Sequence, residues 1–263
     1  MGKIVLGHRL NNKVAIITGA GSGIGKSIAE TFAEKKARVY ILEIDKKRGL
    51  AVQNEILKNN NFGQFYHCDV SDGMSIKAAV NSVLDAEKRI DILVNNAGIS
   101  HIGTIEQTTS SDLDRVYNAN VKSVYLTTKH VIGAMVKNGG GTILNLASIL
   151  AKVGVDERFA YSMSKGAVLA MTLSIAKDYI GQNIRCNCIC PARVHTPFVD
   201  DYLKKNYAGK EKKVFDKLST FQPIGRMGQP EEIAQLALFL CSDASSFITA
   251  AAYDIDGGVV NLR

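Results

Sequence analysis

The sequence predicts an α/β fold, a single domain built on a doubly wound parallel sheet. Three observations carry this. Short apolar, β-branched runs alternate with segments of helical periodicity along most of the chain. Those runs are apolar at consecutive positions, as strands covered on both faces are. No linker, composition break or internal repeat divides the 263 residues, 1–263, and one core can fill that length.

The elements follow in order. Val14–Thr18 reads as the first strand; Ile24, Ile28, Phe32 and Ala33 then recur at helical spacing. Residues 38–42 are a second strand, followed by a charged helix at 46–58. A third strand at 64–68, a third helix at 74–87 and a fourth strand at 92–94 complete the first half. A long helical pattern spans 112–136 and stops at Gly139, Gly140 and Gly141. Residues 142–146 are a fifth strand, 161–180 a strong helix closed by Gly181, and 184–189 a sixth strand ended by Pro191. Residues 199–218 are polar, Lys-rich and helical. Residues 230–241 form an amphipathic helix that opens Pro-Glu-Glu, a good start signal. A last strand at 251–255 precedes Gly257 and Gly258.

Composition bounds the function. No run of 18 apolar residues occurs, so no membrane span is expected. The patch Ile4, Val5, Leu6 is too short for a signal-peptide core. The net charge of +7 is scattered, apart from a local excess at 204–217, and forms no aromatic-interleaved stripe. That speaks against nucleic acid; the basic balance suits an anionic cofactor or substrate equally well and is also ordinary as a solubility device. Five cysteines, an odd count, argue against a closed disulfide framework. Cys186, Cys188 and Cys190 alternate and so share one strand face, but at a spacing tighter than zinc sites use. Buried, reduced thiols, no metal and a cytoplasmic location are the expectation.

In such sheets ligands bind just beyond the carboxyl ends of the strands. After the first strand comes Thr18-Gly19-Ala20-Gly21-Ser22-Gly23-Ile24-Gly25. Its glycines allow a tight turn and close approach of a diphosphate. The following helix offers that anion free N–H groups and a positive dipole end. The strand before and the helix after give the glycine pattern its value as a Rossmann-type cofactor loop. Glu43 follows the second strand. A carboxylate there accepts from both adenosine-ribose hydroxyls and repels a 2′-phosphate, and the loop holds no Arg or Lys. NAD is therefore expected over NADP. Asp45 is the rival for this role, with Lys46, Lys47 and Arg48 behind it.

Several ordered motifs now resemble the short-chain dehydrogenase/reductase family. They are the loop Thr18 to Gly25, Asn95-Asn96-Ala97-Gly98, Ser148 ahead of Tyr161, Tyr161-Ser162-Met163-Ser164-Lys165, Asn120 in mid-helix, the segment Pro191 to Pro197, and Asp256-Gly257-Gly258. The resemblance spans essentially the whole chain. It implies Asn120, Ser148, Tyr161 and Lys165 as the catalytic set. Lys165 would hold the nicotinamide ribose and Asn120 a relay water. It further implies that Asp69 and Val70 meet adenine, that Asn95, Ala97 and Gly98 line the cofactor, and that Val194 and Thr196 hold the carboxamide. Family members are commonly homotetramers, and the apolar region 247–260 suits a subunit interface. Where the family usually shows Pro-Gly, this chain has Pro191-Ala192.

Elementary chemistry agrees. Tyr161 and Lys165, four apart, share a helix face, and an ammonium near a phenol lowers its pKa toward working pH. Tyr161 could then take the alcohol proton as hydride leaves the carbon, with Ser148 holding the substrate oxygen. Arg193 and His195 fall near the nicotinamide end, and Arg158 precedes Tyr161 by three. Two guanidiniums could clamp a carboxylate, and His195 could donate to a hydroxyl. Residues 198–218 would be a lid. The expectation is NAD(H)-dependent interconversion of a secondary alcohol and a ketone in a sugar, sugar acid or short hydroxy acid. The alternatives are an NADPH-dependent 3-oxoacyl-thioester reductase and a non-enzymatic nucleotide-sensing protein.

Overall fold

The computed structural model describes residues 8–262; the apolar triplet Ile4, Val5, Leu6 lies outside them. Seven strands form one parallel sheet in the order β3-β2-β1-β4-β5-β6-β7. They are β1 Val14–Thr18, β2 Arg38–Glu43, β3 Phe62–His67, β4 Ile92–Asn95, β5 Gly141–Leu146, β6 Ile184–Pro191 and β7 Ala252–Ile255. The helices are α1 Gly23–Glu34, α2 Lys46–Lys58, α3 Gly73–Glu87, α4 Ser110–Tyr117, α5 Ser123–Lys137, α6 Phe159–Tyr179, α7 Pro197–Asn206, α8 Glu211–Ser219, α9 Pro230–Cys241 and the short α10 Val259–Leu262.

Alternation along each strand sorts the core into two layers. Ala15, Ile17, Val39, Ile41 and Val94 face α1, α2 and α9, where Ile28, Phe32, Val52, Ile56 and Leu238 meet them. Val14, Ile16, Tyr40, Leu93 and Ile143 face the other way, onto Ile76, Val80 and Val83 of α3 and Val131 and Met135 of α5. Phe32 is fully buried; truncating such a ring to Ala costs about 3–5 kcal/mol. Cys186, Cys188 and Cys190 do share one face, toward α6, and all five cysteines are buried and free. Burial pushes the Cys186 and Cys241 thiols up to about 12, so they are poor nucleophiles.

Two elements depart from the sequence expectation. The helical stretch 112–136 is two α-helices joined by a π-helical turn, Asn118–Lys122. The Lys-rich segment is two helices broken at Gly209, whose φ of +78° is in the left-handed region. Pro191 closes β6 from inside the strand. The order in which strands are added reverses between β1 and β4, and the crevice beyond their carboxyl ends is where a ligand belongs.

Candidate active site

The glycine loop sits in that crevice. Gly19 and Gly23 have φ of +63° and +52°, and a Cβ on Gly25 would lie 2.3 Å from the Gly19 carbonyl oxygen. The Gly21 N–H donates to Glu43 Oε2 at 2.9 Å, and Glu43 Oε1 accepts from the Asp45 N–H at 3.0 Å. A Cβ on Gly21 would stand 2.7 Å from Glu43 Cγ. Ser22 begins α1 without a side-chain cap, and the first turn carries no acidic residue. The positive end of α1 is therefore left to an external anion. This cradle fits a dinucleotide: the loop and α1 would hold the diphosphate, Glu43 the adenosine ribose. Asp45 is engaged elsewhere, accepting from the Arg48 N–H as the cap of α2.

The next motif is arranged differently from expectation. Asn95 is buried in the interior, donating to Asn145 Oδ1 at 2.9 Å and accepting from Thr127 Oγ1 at 2.6 Å, and does not line the cleft. The final strand residue points inward, so its neighbour Asn96 faces the loop. Asn96 Nδ2 donates to the carbonyls of Thr18 and Gly19, both at 3.0 Å, pinning β4 to the glycine turn. Of the two adjacent asparagines, it is Asn96 that lines the cleft. Ala97 packs against Gly19, and Gly98 lines the cleft. Asp69 accepts from the Ser71 N–H and hydroxyl, so its side chain is tied into its own turn; Val70 packs at the edge of the core.

Beyond β5, Ser148 caps a short 3-10 turn by accepting from the Leu150 N–H at 3.2 Å. Tyr161 lies in the first turn of α6, and both it and Ser148 line the same cleft. Lys165, one turn on, is buried and donates from Nζ to the Leu146 carbonyl at 2.6 Å. Its Nζ is 5.6 Å from the Tyr161 ring centre. Burial pulls the Lys165 ammonium down to about 8. Burial pushes the Tyr161 phenol above its ordinary value, against the Ser148 hydrogen bond and the Arg158 charge. The sequence predicts that the Lys165 ammonium lowers the pKa of the Tyr161 phenol. Here the ammonium is turned to a strand carbonyl, and the groups that favour the phenolate are Ser148 and Arg158. Asn120, in the π turn, accepts from the Ile99 N–H at 2.8 Å and donates to the Ile99 carbonyl at 2.9 Å and Ser164 Oγ at 3.0 Å. Its side chain thus ties the segment after β4 to α6.

Ser148, Tyr161 and Lys165 open into a cavity of about 680 Å³, which also takes in Ile24, Gly98, Val194 and Thr196; Asn120 lies behind this lining. Arg158 and Arg193 both line it. His195 does not. It points to Asp200 Oδ1 at 2.9 Å and packs edge-on to Phe215, so its expected role at the substrate has no geometric support. Val199 and Tyr202 of α7 and Leu218 of α8 form one wall, as a lid would. Tyr202 falls within the expected lid, while Phe221 and Arg115 of α4, which also line the cavity, carry no local signal that sets them apart from surface residues. The Arg193 guanidinium lies 5.1 Å from the Phe221 ring centre. Among the described residues no group of three or more His, Cys, Asp or Glu is placed to hold a metal, and no helix is long and apolar enough to cross a membrane.

A dinucleotide cradle at a strand crossover, opening onto a tyrosine, a serine and a lysine, defines a nicotinamide-dependent oxidoreductase acting on CH–OH or keto groups. Comparison with known proteins agrees. The family described as enoyl-(acyl carrier protein) reductase matches residues 19–260, and the chain belongs to the short-chain dehydrogenases/reductases. It is 36% identical to a 2-keto-3-deoxy-L-fuconate dehydrogenase of Xanthomonas campestris, covering 96% of this chain and 82% of that one. It is also 36% identical to a 3-oxoacyl-(acyl-carrier-protein) reductase of Thermotoga maritima, covering 96% and 99%. The L-sorbose reductase of Gluconobacter frateurii, solved with NADPH and L-sorbose, superposes with a TM-score of 0.93 at 29% identity, covering 97% of this chain and 98% of that one.

Proposed function

We propose that this protein is an NAD(H)-dependent dehydrogenase interconverting a secondary alcohol and a ketone in a small anionic substrate, with Tyr161 as acid/base. The observation that carries it is the shared cavity of Ser148, Tyr161, Arg158 and Arg193. Ser148 and Tyr161 hold the substrate oxygen between them, and the Tyr161 phenol exchanges its proton with that oxygen. The bound nicotinamide supplies the hydride acceptor or donor. Lys165, facing the same cleft, would hold its ribose, with Val194 and Thr196 beside the carboxamide. The side chain of Asn120 is committed to Ile99 and Ser164, so a relay water would meet its main chain rather than its amide. Arg158 and Arg193 take the anionic group.

NAD is preferred because Glu43 is fixed at the end of β2 by two N–H donors and stands where a 2′-phosphate would sit. The five buried thiols suit a reducing, cytoplasmic setting. The fully exposed Phe247 and largely exposed Leu262 support a homotetramer in which the C-terminal region is covered. A carbohydrate substrate is a second reading, favoured by the similarity to the fuconate dehydrogenase and the sorbose reductase. The test is steady-state turnover with NAD and NADP on one substrate. A preference for NAD of at least about tenfold in kcat/KM is expected. Equal values, or a preference for NADP, would remove the assignment of Glu43.

A further inference from the structure

The walls of the substrate cavity are apolar over most of their extent. Ile102 comes from the segment after β4, Leu150 and Val155 from the segment after β5, Val199 from α7, Leu218 from α8, and Phe221 from the turn beyond it. Polar groups are few once those used by the reaction or the loop are set aside. Asn96 is bound to the Thr18 and Gly19 carbonyls, and Thr196 lies against Gly23. What remains is Ser100, Tyr202 and the arginines. A polyhydroxylated substrate would set those of its hydroxyls that face the apolar walls against hydrocarbon, where they lose water without a replacement partner.

We propose, resting on the anionic-substrate reading above, that this cavity takes a hydroxy or oxo acid whose body is apolar. The acid group meets Arg158, Arg193 and Tyr202, and a hydrocarbon or aromatic remainder fills the rest. Three elements converge on the acid site: the start of α6, the segment after β6, and α7. The charges of Arg158 and Arg193 both bear on the Tyr202 phenol, opposing the larger effect of its hydrogen bond to Tyr207. Arg158 also bears on the Tyr161 phenol. Arg158, at the N-terminus of α6, precedes Tyr161 by three residues and lines the same cavity, so the acid group lies toward the reacting end, as a 2- or 3-hydroxy acid would place it. Phe221 serves both parts of the substrate. It lies against the Arg193 guanidinium and continues the apolar wall.

The experiment compares probes of equal chain length: 3-hydroxyhexanoate, gluconate, 3-hexanol and sorbitol. Turnover with NAD is measured for each. Binding is read in parallel from the fluorescence of enzyme-bound NADH, so slow chemistry on a probe does not hide its affinity. We expect 3-hydroxyhexanoate to exceed gluconate by at least about tenfold in kcat/KM or in affinity. Tyr202→Phe should weaken both acids several-fold more than it weakens 3-hexanol; an equal effect on all three would take Tyr202 out of the acid site. Gluconate equal to or better than 3-hydroxyhexanoate overturns the apolar body while leaving the anion site standing. Equal performance of 3-hexanol and 3-hydroxyhexanoate overturns the anion site instead. The two failures are thus distinct.

Discussion

Glu43 Oε2 accepts the Gly21 main-chain N–H at 2.9 Å. The last residue of β2 therefore holds the middle of the glycine loop, and the carboxylate assigned to cofactor choice also shapes the loop. Gly21 is where it is for the same reason, since any Cβ there would collide with Glu43.

Glu43→Ala should then do two things. It removes a charged acceptor, worth about 1.5–3 kcal/mol, so NAD affinity should fall by about ten- to a hundredfold. It also removes the repulsion of a 2′-phosphate, so discrimination against NADP should shrink. Titration with both cofactors checks this. Unchanged dissociation constants for both would move the role away from Glu43.

Tyr161→Phe keeps the ring and deletes the transferable proton. Turnover should fall at least about a hundredfold, with NAD affinity nearly intact. Single-turnover kinetics make the measurement specific to chemistry. Retention of more than about a tenth of the rate would mean that another group moves the proton.

Lys165 makes stability depend on pH. Its ammonium is pulled from 10.5 to about 8 in the folded chain. Below about pH 8 the group is protonated in both states, and the cost of burying the charge is fully felt. Between about pH 8 and pH 10.5 the unfolded chain binds more protons, so stability rises with pH. Relative to Lys165→Met, the wild type should gain about 2–3 kcal/mol between about pH 7 and pH 10. Urea unfolding of both at the two pH values reads this directly; a constant difference would show that Lys165 titrates normally.

Arg193→Met should separate acids from neutral alcohols. Losing one partner of a desolvated charge pair should cost about 2–5 kcal/mol in kcat/KM for an acid substrate and little for its neutral analogue. Equal losses on both would make Arg193 a structural residue.

The strands were legible because consecutive Val, Ile and Leu leave few alternatives, and Tyr161 and Lys165 because they belong to a whole ordered set of motifs that resembles the family. What the sequence concealed was direction. Asn95 and Asn96 are chemically identical, and only the phase of β4 decides which one enters the core. His195 had a suitable position, but the nearby Asp200 claimed its ring. Tyr202 and Phe221 reach the cavity through the placement of α7 and of the turn after α8, which no local pattern encodes. The π turn was invisible because helical periodicity tolerates one extra residue over a long stretch.

That extra residue has a genetic consequence. An α-helix advances about 100° per residue, so α4 and α5 are out of phase across Asn118–Lys122. Arg115 before the turn reaches the cavity, while Thr127 and Thr128 after it reach Asn95. Deleting one codon inside the turn would give a more regular helix and misalign one of those two sets. Substitutions at exposed positions of this stretch, away from Asn120 and Thr127, leave the register intact, whereas a change of length shifts every residue beyond it. Those exposed positions should accept point mutation, while the stretch should resist insertion and deletion.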